Sequence, residues 1–185
     1  MQKEIIISGF GGQGVLFAGQ VIAYAAMGSG LEVTWIPSYG PEMRGGTANC
    51  TVVIADHEIG SPLVKNPPLV IALNLPSYDK YEPIMQAGGT LVVNQSMVDR
   101  GAKRADINTV FVSANEIAEQ IGDKKLTNMV TVGALLAALP EVTIESIATA
   151  LKAHLPARHQ HLLPKNCEAL RRGFESAKQQ MVVAA

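Results

Sequence analysis

Two patterns of apolar and polar residues alternate along this chain. Short β-branched or apolar runs at 5–7, 31–36, 47–55, 69–75, 90–94 and 108–112 have the length and composition of strands. Longer segments at 15–28, 77–87, 114–121, 126–139, 143–154 and 165–180 read as helices. In the last of these, Cys167, Leu170 and Phe174 recur at helical spacing. The run at 69–75 is continuously apolar up to Asn74, as expected of a central strand covered on both faces.

The breaks between the runs carry their own signals. Gly28 or Gly30 closes the first helix, and Pro140 closes the one at 126–139. Ser77 is expected to cap the helix at 77–87. Ser113 and Glu116 have capping-box spacing, and Thr143 caps the helix that follows it. The segment at 98–108 is charged and contains Gly101, so an exposed connection is expected there. Strands alternating with helices, then several helices together, predict an α/β fold. We expect a three-layer Rossmann-like sheet, mostly parallel, with a helical C-terminal part. The stretch at 47–60 has no room for a crossover helix before it and is expected to add antiparallel strands. At 185 residues one core is expected, spanning 1–185 as a single domain.

Composition narrows the function classes. Apolar residues make up 48% and aromatics only 5%, so the core must come from Ile, Val, Leu and Ala. A net charge of −1 argues against a nucleic-acid surface, which needs clustered Lys and Arg. No apolar run approaches a membrane span. The two cysteines, Cys50 and Cys167, lie far apart, with neither a disulfide framework nor a metal spacing. These features, with no leader pattern at the N-terminus, are those of a soluble cytoplasmic protein in a reducing compartment.

Candidate chemistry sits at two loops. Gly9, Gly11 and Gly14 have the spacing G-x-G-x-x-G, with Gly12 and Gln13 inside it, between a strand and a helix. That is the context of a phosphate loop, in which glycines let the backbone approach a ligand and a helix N-terminus aims its N–H groups at it. The acid that should end the second strand of a dinucleotide fold is absent, because the strand runs into Pro37, Ser38 and Tyr39. The loop also lacks the G-K-[ST] ending of a nucleotide-hydrolysing P-loop. The second stretch, 38–47, holds Tyr39, Gly40, Pro41, Glu42, Arg44, Gly45 and Gly46, and no regular element fits it. Arg44 either pairs with Glu42 to brace this loop or presents its guanidinium to a ligand or partner. His57 reads as a solvated turn residue. His154, His159 and His161 lack metal-binding spacing and read as a mildly basic loop. No nucleophile with an adjacent base can be assembled, so no catalytic residue is assigned.

Together, the segments 9–14 and 38–47 resemble the gamma subunit of 2-oxoacid:ferredoxin oxidoreductases. The resemblance takes in the strand around Cys50, the Ser61-Pro62 pair and the strand end before Pro76, and covers nearly the whole chain. It implies a complex that oxidatively decarboxylates a 2-oxoacid with coenzyme A, giving acyl-CoA, CO2 and reduced ferredoxin. It implies that thiamine diphosphate, Mg and iron–sulfur clusters belong to alpha, beta and ferredoxin-like partner subunits, with no cofactor held by this chain alone. The chain has neither a cluster-ligand cysteine pattern nor a G-D-G…N-N diphosphate–metal motif, which fits that division. The resemblance favours 2-oxoglutarate over pyruvate, branched-chain or indolepyruvate substrates. The residues it marks as ligand or partner contacts are Gly9, Gly11, Gly12, Gln13 and Gly14, with Tyr39, Gly40, Glu42, Arg44, Gly45 and Gly46. Two other readings stay open at this point: an independent nucleotide- or flavin-binding domain, and a non-catalytic scaffold module. Whether the isolated chain forms a homodimer through a surface meant for partners is also open.

Overall fold

The computed structural model describes residues 1–38 and 47–183. Six strands form one sheet in the order β2-β3-β1-β4-β5-β6. They are β1 (Gln2–Phe10), β2 (Glu32–Ser38), β3 (Thr47–Ala55), β4 (Leu69–Ala72), β5 (Thr90–Asn94) and β6 (Asn108–Val112). β1, β4, β5 and β6 pair in parallel, while β3 runs antiparallel to both β1 and β2. The expected antiparallel insertion at 47–60 is therefore β3, wedged between β1 and β2. The helices are α1 (Val15–Gly28), α2 (Leu75–Tyr81), α3 (Ala114–Ile121), α4 (Thr127–Leu136), α5 (Ile144–His154) and α6 (Leu163–Val183).

Successive strand residues face opposite sides, so the sheet divides its apolar residues between two clusters. Ile5, Ile7, Cys50, Val52, Ile54, Ile71 and Val92 face the larger cluster, with residues of α1, α4, α5 and α6. Ile6, Val70, Ala72, Leu91 and Val93 face a smaller one, with Tyr78, Tyr81 and Met85. One side thus carries most of the helices. On that side α4 and α6 cross at backbone contact. A Cβ added to Gly133 would lie 2.0 Å from the Leu170 carbonyl oxygen, and one on Gly173 would lie 1.9 Å from that of Val130.

Several local expectations are corrected. The strand expected at 69–75 stops at Ala72, because Asn74 caps α2 by accepting from the Ser77 N–H at 2.9 Å. Ser77 is therefore not the cap; its hydroxyl meets the Ser8 hydroxyl at 2.9 Å. The helix expected at 77–87 ends at Tyr81 and continues only as a 3-10 turn at Glu82–Ile84. The Ser113 side chain makes no cap bond to α3. Ser96 takes over: its hydroxyl accepts from the Asn115 N–H at 3.1 Å and donates to Glu116, which holds that carboxyl below the usual range. Thr143 caps α5 as expected, in a capping box with Ser146.

The connection at 98–108 is not simply exposed, since Val98 and Ile107 are buried. The buried Glu82 carboxylate holds it, accepting from the Tyr78 hydroxyl and the Lys103 N–H, each at 2.8 Å. No helix among the described residues is long and apolar enough to cross a membrane.

Candidate functional site

Parallel strands of such sheets present ligands at their carboxyl ends, and here that edge is lined with small polar side chains. β1 delivers Ser8 and then the glycine loop, β4 is followed by Asn74, and β5 ends at Asn94. Ser8, Asn74 and Asn94 are buried. Asn74 Nδ2 and Asn94 Oδ1 have no hydrogen-bond partner among the described residues.

The glycine loop is a tight turn. The Gln13 N–H donates to the Phe10 carbonyl at 3.2 Å, and Gln13 Oε1 accepts from the Phe10 N–H at 2.6 Å. The Gln13 side chain therefore braces the turn from within. Gly9 must lack a Cβ, since one would stand 2.6 Å from Gln13 Oε1 and 2.9 Å from Leu73 Cβ. Gly11 and Gly12 are exposed. Gly12 has φ 92° with open space where its Cβ would be. Gly14 is the N-cap of α1, left-handed at φ 72° and ψ 25°. The helix has no side-chain cap and no acid in its first turn, so its leading N–H groups are left to the loop and to ligands.

Beside this loop lies a cleft of about 390 Å³. Gly12 and Gln13 form one wall, and Asn115, Lys124, Lys125 and Thr127 form the other. Glu119 also lines it and pairs with Lys124 at 3.2 Å, whereas Lys125 has no ion pair among the described residues. Asn115 Oδ1 accepts from Asn94 Nδ2 at 3.1 Å and from the Thr127 hydroxyl at 3.3 Å. Both bonds go to the oxygen, so the amide nitrogen of Asn115 remains as a donor. With Lys124 offset by Glu119, the ammonium of Lys125, an amide and a glycine turn together make this cleft suited to an anion of phosphate type.

The expected residues Gly9, Gly11, Gly12, Gln13 and Gly14 thus sit together at the carboxyl edge. Tyr39, Gly40, Glu42, Arg44, Gly45 and Gly46 lie outside the described residues. Asn115, Lys124, Lys125 and Thr127 were not singled out from the sequence; the adjacent lysines were visible there, but nothing local tied them to a loop more than a hundred residues away. Of the histidines, His57 contacts Asp56 in an exposed turn. His154 stacks on Tyr24 with ring centroids 3.7 Å apart, so it belongs to the α1–α5 packing and not to a loop. His159 and His161 lie in a 3-10 helix at Ala157–Leu162. Among the described residues no group of three or more His, Cys, Asp or Glu side chains could hold a metal ion.

The sequence profile of the family described as Pyruvate ferredoxin/flavodoxin oxidoreductase matches residues 4–176. The chain belongs to that family. Within the pyruvate ferredoxin/flavodoxin oxidoreductase family, it is 37% identical over 182 residues to the 2-oxoglutarate synthase subunit KorC of Methanothermobacter marburgensis, covering 95% of this chain and 96% of that one. It is 36% identical over 181 residues to the ketoisovalerate oxidoreductase subunit VorA of Methanothermobacter thermautotrophicus. That match covers 96% of this chain, which spans only 37% of the VorA subunit's length. The crystal structure of the keto/oxoacid ferredoxin oxidoreductase gamma subunit from Geobacter sulfurreducens superimposes with a TM-score of 0.80 at 30% identity, covering 96% of this chain and 99% of that one. The mostly parallel α/β sheet with its C-terminal helices is therefore the fold of a gamma subunit.

Proposed function

We propose that this chain is a single-domain gamma subunit of a 2-oxoacid:ferredoxin oxidoreductase. The observation that carries this reading is the end-to-end correspondence with the KorC subunit and with the gamma-subunit structure. The complex would oxidatively decarboxylate a 2-oxoacid, transfer the acyl group to coenzyme A and pass the electrons to ferredoxin. The several KorC relatives, subunits of 2-oxoglutarate synthases, support 2-oxoglutarate as the substrate.

The chain's own residues do not fit the redox cofactors. Cys50 is buried on β3, where burial pushes its thiol up to about 12, and Cys167 lies on α6. Two cysteines so placed do not make the four-thiolate set that an iron–sulfur cluster takes. Thiamine diphosphate, which supplies the carbanion chemistry, belongs with Mg and the clusters to alpha, beta and ferredoxin-like partners. The contribution of this chain is at the carboxyl edge: Lys124, Lys125 and Asn115 across from the glycine loop receive the phosphates of coenzyme A. Arg44, outside the described residues, is a further candidate for those phosphates on its side-chain chemistry alone.

The test uses the assembled complex, captured on this chain and assayed with several 2-oxoacids, coenzyme A and a low-potential dye. Coenzyme A-dependent dye reduction is expected, fastest with 2-oxoglutarate. Losing one charge-assisted phosphate contact corresponds to about 1.4 kcal/mol, or tenfold. Lys125→Ala and Arg44→Ala are each expected to raise the coenzyme A KM by that factor with kcat within twofold. An unchanged KM in both variants would remove coenzyme A from this cleft, and capture without 2-oxoacid activity would sink the subunit reading itself.

A further inference from the structure

The two walls of the cleft come from segments far apart in the chain, and a single side chain joins them. Asn128, on the first turn of α4, is 5% exposed. Its Nδ2 donates to the Gly14 carbonyl at 3.2 Å, across a sequence separation of 114. Its Oδ1 accepts from the Met129 N–H at 2.8 Å, which satisfies one of the leading amides of α4. The same Gly14 carbonyl accepts from the Ala18 N–H at 3.0 Å, the first bond within α1. The approach is close: a Cβ on Gly14 would stand 2.4 Å from Asn128 Nδ2.

The far wall is tied to Asn128 by short steps. The Thr127 hydroxyl shares its one proton between the Lys124 carbonyl, at 3.0 Å, and Asn115 Oδ1, at 3.3 Å, and Asp123 caps the Lys125 N–H at 3.0 Å. The segment carrying both lysines is therefore tied by hydrogen bonds to the start of α4. We propose that Asn128 is a positioning residue: its amide holds the glycine loop at a fixed distance from the Lys124–Lys125 wall and so sets the opening of the cleft. Its consequence for coenzyme A rests on the reading of the cleft given above; the tether itself does not.

The amide has two separable roles, and Asn128→Asp separates them. The aspartate keeps an oxygen for the Met129 N–H and sets a carboxylate against the Gly14 carbonyl in place of the donor. Hydrogen exchange is measured on the full chain, at the Gln13 and Ala18 amides beside the tether and at Val130 within α4. The expected result for Asn128→Asp is exchange at Gln13 and Ala18 at least tenfold faster, with Val130 unchanged. In the assembled complex the coenzyme A KM then rises about five- to tenfold while kcat stays within twofold. Asn128→Ala, which loses both bonds, shows the same loop effect and also loosens Val130. Unchanged exchange at Gln13 and Ala18 in Asn128→Asp overturns the proposal, as does a uniform acceleration at all three amides. Faster loop exchange with an unchanged coenzyme A KM upholds the tether and removes coenzyme A from the cleft.

Discussion

Two pairs of glycines do opposite things in this protein. At the α4–α6 crossing, Gly133 and Gly173 have ordinary helical backbones, and the missing Cβ is replaced by carbonyl groups of the facing helix. In the loop after β1, Gly12 and Gly14 are needed first for their positive φ. Gly12 opens onto nothing within 4 Å, on the wall of the cleft. Glycine at the crossing is a packing device, and its removal is felt as stability. Glycine in the loop is a shape device, and under the proposed function its removal is expected to be felt chiefly as ligand affinity. Gly14 stands between the two cases, with a positive φ and a crowded neighbour in Asn128.

Alanine substitutions test this division, beginning with the largest effect. Gly133→Ala drives a methyl into the Leu170 carbonyl, and neither helix backbone can yield cheaply. We expect a loss of at least about 3 kcal/mol, as for severe overpacking, and a Tm lower by roughly 6–12 °C for a chain of this length. A melt within 2 °C of wild type, on the order of less than 1 kcal/mol, would end the packing account. Gly14→Ala is expected to cost about 2 kcal/mol, from the left-handed backbone and the displaced Asn128 amide. Gly12→Ala carries the backbone cost without the clash, about 1 kcal/mol, and its larger consequence should be weaker coenzyme A binding by the complex. If Gly12→Ala melts as low as Gly133→Ala, the contrast between the two regions fails. Gly28→Ala is the smallest change. This residue closes α1 without a positive φ and with open space around it, so alanine should raise stability by about 0.5–1 kcal/mol in the same thermal melt.

The elements read from local pattern and the contacts between them differ in how well they were legible. The strands at 47–55, 90–94 and 108–112 and the helices at 15–28 and 114–121 have the bounds expected from the sequence. In each, periodicity or β-branched content within the element is enough, because both are properties of neighbouring residues. Capping was legible for α5, where Thr143 is the cap as expected. It was missed for α3, which takes its cap from Ser96, distant in sequence, and for α2, whose local cap Asn74 was read as part of the preceding strand. Serine and asparagine oxygens compete for the same N–H groups, and the winner depends on where the preceding strand ends.

The chain by itself determined the α/β class, the glycine loop between β1 and α1 and, through two motifs, the resemblance to gamma subunits that the family match then confirmed. Only the tertiary structure decided that Lys124, Lys125 and Asn115 face that loop, that Gln13 braces it from inside, and that Asn128 holds it to α4. The physical reason is range. Hydrophobic period and turn chemistry act over a few residues, whereas these side chains meet only after the sheet and the α4–α6 crossing have brought distant segments together.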